Sequence, residues 1–167
     1  MSGSLHAWYS LRDLETLGMR RAAFSGELKL ASLSRLAGLL SADDGSVRAT
    51  LTFGQRSDGW LTVDVAYAAD VQRVCQRCLE PVAEKVAGEV SLAVLDSVAA
   101  DSQWPAGYEP LELENGRLSP ARVIEDELIV SLPLVPKHER IEDCGSLSRV
   151  LTQPSERDDA ASDATDR

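Results

Sequence analysis

The feature that most constrains this chain is a two-residue alternation of apolar and polar side chains, repeated along its first hundred residues. Val47, Ala49, Leu51 and Phe53 alternate with Arg48, Thr50 and Thr52, and Leu61, Val63, Val65 and Tyr67 alternate with Thr62 and Asp64. Successive side chains of a strand point to opposite faces, so this period describes strands with one face buried. Between the two runs, Gly54 to Gly59 reads as a hairpin loop with a glycine at each end. A short strand is expected at 71–74. After Pro81 the alternation resumes through Val82, Val86, Val90, Leu92 and Val94, and Gly88 in its middle predicts a bulge or bend. Phe24, Leu28 and Leu30 against Ser25, Glu27 and Lys29 predict an earlier strand. Tyr108-Glu109-Pro110 begins a short edge strand, since proline donates nothing to a ladder.

Three helices fit between these strands. Leu11, Leu14 and Leu17 have helical spacing, with Ser10 as N-cap and Gly18 as a stop. Leu33, Leu36, Leu39 and Leu40 fit a second helix, capped by Ser32 or Ala31. Ser119-Pro120 starts a third, which ends before Pro133. Its acids Glu125, Asp126 and Glu127 read as a solvated face favoured by the helix dipole. The expected class is α+β: a curled, barrel-like antiparallel sheet with a few short helices. Residues 1–150 read as a single domain. In 151–167 five acids face only Arg157 and Arg167, which reads as a disordered acidic tail.

Lys plus Arg number 17 and Asp plus Glu 27, a net charge of −10. Such a surface repels phosphate backbones as a whole, so work on RNA would go through a basic partner or one local Arg-bearing patch. Trp8, Trp60, Trp104 and Tyr108 lack the surrounding Lys and Arg of a base-stacking surface, and packing roles are expected for them. No apolar run approaches the ~18 to 20 residues of a membrane span. The start, Met1 to His6, lacks the basic and apolar regions of a signal peptide, so a cytoplasmic protein is expected.

The sharpest motif is Cys75-Gln76-Arg77-Cys78. Two thiolates at this spacing can grip one zinc ion, because a tight turn aims both sulfurs inward. Four ligands are needed, and Cys144, His138 and His6 are the further candidates; Cys144 with His138 would complete a Cys3His set. The alternative is that both cysteines pack the turn as small hydrophobes. A redox role would need a helix after the motif, and here Leu79-Glu80-Pro81 leads into a strand instead. No nucleophile–base pattern, P-loop or dinucleotide fingerprint is present, and no catalytic residue is assigned.

Two blocks of the sequence carry a family resemblance. Cys75-Gln76-Arg77-Cys78-Leu79-Glu80-Pro81-Val82 resembles the CxRCLxP signature of the YceD family, the large ribosomal RNA subunit accumulation proteins. The stretch from Tyr108 through Asp126-Glu127-Leu128 and Leu132-Pro133-Leu134-Val135-Pro136-Lys137-His138 to Cys144 is similar to that family's C-terminal half. The resemblance implies a bacterial accessory protein in synthesis, processing or stability of large-subunit (23S) rRNA, without catalysis. It also implies a fuller cysteine set in many relatives, where this chain keeps Cys144 alone beside Asp143 and Gly145. The expected partner is a basic ribosomal or rRNA-processing protein held against the acidic surface. The loop bearing Arg73, Cys75, Arg77 and Cys78 offers a second contact. Direct RNA binding is the main alternative, and a CxxC metal or redox protein the third.

Overall fold

The computed structural model describes residues 4–95 and 104–145. The expected acidic tail lies outside them. In chain order the elements are β1 (Tyr9–Ser10), α1 (Leu11–Met19), β2 (Ala23–Lys29), a 3-10 turn (Leu30–Ser32), α2 (Ser34–Ala37), β3 (Ser46–Gln55), β4 (Leu61–Val74), β5 (Pro81–Leu95), β6 (Glu109–Glu112), β7 (Arg117–Leu118) and α3 (Pro120–Ser131). The class is α+β, as expected.

The main sheet has five strands in the order β2-β3-β4-β5-β6, and β1 pairs with β7 in a small second sheet. The main sheet is not closed, which corrects the barrel-like expectation. Its buried face is covered by helices: α1 lies against β3 and β4, and α3 against β4 and β5. Leu14, Leu36, Ile124 and Leu128 bring apolar surface to that face, so closure is not needed to bury it. The opposite face, with Ser25, Thr50, Ala66, Ala68 and Ala87, is an open concavity. The sheet is also not wholly antiparallel, because β6 runs parallel to β5. Among the described residues, no helix is long and apolar enough to cross a membrane.

The strands follow the alternation, with Val47, Leu51, Phe53, Val63 and Val65 fully buried. Phe24 and Phe53 meet with ring centroids 5.0 Å apart. Two short expected strands are in fact the single β4, because Tyr67, Ala69, Val71 and Arg73 continue the same inner face without a break. The expected bulge at Gly88 is absent: its register with Tyr67 lies within an uninterrupted ladder. Glycine is needed there for room, since a Cβ would stand 2.5 Å from the Tyr67 hydroxyl oxygen. That hydroxyl bonds Ser131 Oγ at 2.5 Å and donates to the Glu127 carbonyl at 3.3 Å, tying α3 to the middle of the sheet.

Ser10 caps α1 in a reciprocal pair with Asp13. Gly18 does not stop that helix. It is buried within it, where an added Cβ would lie 2.8 Å from the Gly54 carbonyl oxygen. The expected Leu-rich helix is shorter than its pattern, and Ser32 bonds back to the Lys29 carbonyl instead of capping it. Ser119 likewise makes no side-chain cap for α3, which begins on Pro120.

The cap of α2 comes from elsewhere in the chain. Glu125 is only 5% exposed, so it is not part of a solvated face. Its Oε1 accepts the backbone N–H groups of Arg35 (2.8 Å) and Leu36 (3.2 Å), and its Oε2 accepts from the Arg35 guanidinium. A carboxylate can be buried when its lone pairs are filled this way. The tryptophans also depart from expectation, since Trp8 and Trp104 are exposed, Trp8 lying beneath the Arg122 guanidinium.

Candidate metal centre

The long hairpin of β4 and β5 closes through a knuckle at 75–80. Cys75 N–H bonds the Glu80 carbonyl (2.9 Å), and Leu79 N–H returns to the Cys75 carbonyl (2.8 Å). This tight closure puts Leu79 at φ +63°, a region leucine seldom enters. Pro81 then starts β5 with a fixed φ. The turn points both cysteines inward, and Cys75, Cys78, Val82 and Cys144 form a buried cluster separate from the main core.

The segment after α3 is held against this knuckle by a series of polar clamps. Arg73, on the inner face of β4, pairs with Glu84 of β5 (2.5 Å) and donates to the Pro133 carbonyl (2.7 Å). Gln76 N–H bonds the Pro136 carbonyl at 2.9 Å. Arg77 Nη2 donates to the His138 carbonyl and, at 3.2 Å, to that of Arg140. Cys144 N–H then bonds the Ile141 carbonyl, turning the third sulfur back inward. Gly145 follows at φ +58°, close against the Glu80 carboxylate.

These constraints bring together one donor atom each from Cys75, Cys78, His138 and Cys144, all within 4.8 Å of one another. His138 Nδ1 lies 3.5 Å from Cys78 Sγ and 3.8 Å from Cys144 Sγ. A tetrahedral ion with Zn–S near ~2.3 Å and Zn–N near ~2.0 Å needs donor separations of roughly 3.5 to 3.8 Å. The donor set therefore fits a metal ion in number and kind, and the two His138 separations lie near the required spacing. His6, the other candidate, is exposed at the far end of the described chain and takes no part.

The sulfurs are electrostatically unequal. Burial pushes the Cys75 thiol up, but N–H donors from Cys78, His138 and Arg77, with the Cys78 side chain, outweigh it and bring the pKa to about 5. Cys144 is pushed upward by burial and by Cys78, which the nearby Arg77 charge only partly opposes. Arg77 Nε is buried without a hydrogen-bond partner, an electropositive N–H beside a thiolate-forming set. Arg73, expected as a contact for a partner, is buried, and Arg77, expected likewise, is half-buried with its Nη2 on two carbonyls. Sequence reasoning had no signal for Glu84 or for the carbonyls of Pro133 and Pro136, because these pairings are set by the sheet register.

The fold is an open α+β architecture whose longest hairpin ends in a Cys3His donor cluster that could hold a metal ion. The family described as "Large ribosomal RNA subunit accumulation protein YceD" matches residues 63–166, which take in β4, β5, the knuckle and α3. A relative from Haemophilus influenzae with that same description is 31% identical over 120 residues, covering 71% of this chain and 69% of the relative. No solved structure matches. The chain belongs to the YceD family.

Proposed function

We propose that this protein supports the accumulation of large-subunit ribosomal RNA as a binding protein, with a structural zinc ion at Cys75, Cys78, His138 and Cys144. Family membership supplies the RNA role. The single observation that favours binding over catalysis is the closed donor set. Four protein ligands fill a tetrahedral ion, whereas a catalytic zinc keeps a position for water or substrate. Thiolate and imidazole donors suit zinc better than calcium or magnesium, which take oxygen. The bound ion would cross-link the hairpin to the segment after α3. The residues around it serve that end: backbone N–H groups hold Cys75 as a thiolate, and Arg77 supplies compensating positive charge.

The net charge of −10 favours a basic partner, a ribosomal or rRNA-processing protein, with RNA reached through it. The work would lie in the bacterial cytoplasm, where rRNA is made. The test is deletion of the gene followed by measurement of both rRNAs. Selective loss of the large-subunit species, restored by the wild-type chain, is expected; equal loss of both, or of neither, contradicts the reading.

One observation favours a second reading. His138 Nδ1 and Cys78 Sγ stand within 3.5 Å, the arrangement of an activated thiol. A thiol nucleophile would be alkylated rapidly by iodoacetamide in the native protein. A zinc-held thiolate in this cluster, where Cys75 and Cys144 are fully buried and Cys78 nearly so, should react only after chelation.

A further inference from the structure

The segment that links α3 to the donor cluster is fixed along its length, yet it turns its apolar side chains outward. Leu134 is 100% exposed, Val130 82% and Val135 56%. Mobile surface segments often expose a leucine, and such exposure needs no explanation. This segment differs because Arg73 holds the Pro133 carbonyl, Gln76 holds that of Pro136, and His138 belongs to the donor set. The flanking peptides therefore cannot rotate freely to hide Leu134 and Val135. An apolar surface held in a defined shape binds with a smaller ordering cost than a flexible one.

Acidic groups adjoin this strip. Glu127 lies one turn before Val130 on α3, and Glu109 of β6 is close enough to act on its carboxyl, while the neighbouring Asp126 is paired with Arg35 at 2.6 Å. Burial, then repulsion from Glu109 and Asp126, raises the pKa of Glu127, so the local field favours an added cation.

We propose that the strip formed by Val130, Leu134 and Val135, with its acidic flank, is the docking surface for a basic segment of a protein partner carrying apolar side chains. This rests on the binding role proposed above and gives that role a location. The partner's apolar side chains cover the strip while its Lys or Arg residues meet Glu127 and Glu109.

The test uses the zinc-loaded full chain, immobilised, with total protein extracted from purified large ribosomal subunits as the probe at low salt. Retained proteins are identified by mass. Wild type and Met19→Asp, an exposed change on α1, should retain the same basic protein. Leu134→Asp combined with Val135→Asp should lower its retention about tenfold, the loss of one interface anchor. Val130→Lys, which places like charge against a basic partner, should lower it as well. These positions are exposed, and an unchanged circular dichroism spectrum and denaturation midpoint of each variant confirm that the fold survives. If the double variant and Val130→Lys retain the protein as wild type does, the strip is overturned while the binding role stands. If wild type retains nothing, the binding role itself fails and the strip fails with it. If these substitutions instead abolish retention of 23S rRNA extracted from the same subunits, the commitment to a protein partner is wrong.

Discussion

Two regions of this molecule are held together by different forces. Between the sheet and its helices, Leu14, Leu36, Leu51, Phe53, Ile124 and Leu128 are fully buried, and apolar burial carries the stability. At the far end of the β4–β5 hairpin, the second cluster contains only Val82 and the three cysteines. That cluster is too small to order a segment of a dozen residues by burial alone. The 133–145 segment is instead held by Arg73, Gln76 and Arg77 on the carbonyls of Pro133, Pro136, His138 and Arg140. The contrast means that the two regions should fail separately, the first to cavities and the second to lost charges or lost metal.

The contrast can be broken most forcefully in the core. Leu51→Ala, in the middle of β3, should lower global stability by about 3 to 4 kcal/mol, through lost transfer energy and the cavity left behind. Its denaturation midpoint should fall while the amides of residues 133–145 keep their hydrogen-exchange protection in the native protein. Next in size is Glu84→Ala, which strands the buried Arg73 guanidinium. A cost of about 3 kcal/mol is expected, because an unpaired buried charge remains. Unlike the core change, it should also speed hydrogen exchange around residues 133–138. Glu125→Ala uncaps α2 but leaves Arg35 partly in solvent, so about 2 kcal/mol is expected, with the metal end unaffected.

Cys144→Ser should alter the core least. Its far-ultraviolet circular dichroism should match wild type, while zinc retention falls and the 133–144 amides lose protection. A separate prediction concerns pH in zinc-free protein. The Cys75 thiol is held at about 5, against an ordinary value of 9.0. Between these values the unfolded chain carries a proton that the native protein lacks, so stability rises with pH. The contribution is complete above the ordinary value and disappears as pH falls through the native one. Denaturant titration of zinc-free wild type and Cys75→Ser at several pH values checks this: the rise with pH between the two values should be steeper in wild type.

Much of the first region was legible in the sequence, because period-two alternation directly reports a half-buried strand. It failed where alanine blurs the contrast. Ala66, Ala68 and Ala69 hide the continuity of β4, and a gap appeared where none exists. It also failed for Gly88, whose role depends on the Tyr67 ring opposite, a tertiary fact. Sheet closure depends on whether helices cover a face, which no local pattern records.

At the cysteine knuckle the sequence supplied the donor set Cys75, Cys78, His138 and Cys144, but not the contacts that bring it together. Cys75 and Cys78 announce themselves by spacing, whereas His138 and Cys144 join them only because the segment after α3 folds back along β4. The Arg73–Glu84 pair and the trans-acting Glu125 cap were hidden for the same reason. Each is a charged residue whose meaning is fixed by a partner distant in sequence.

The most direct test of the central claim is X-ray absorption at the zinc edge, on protein purified without added metal under reducing conditions. One zinc per chain with three sulfurs near ~2.3 Å and one nitrogen near ~2.0 Å is the predicted result. Folded protein that carries no metal, or a shell made of oxygen, would contradict it.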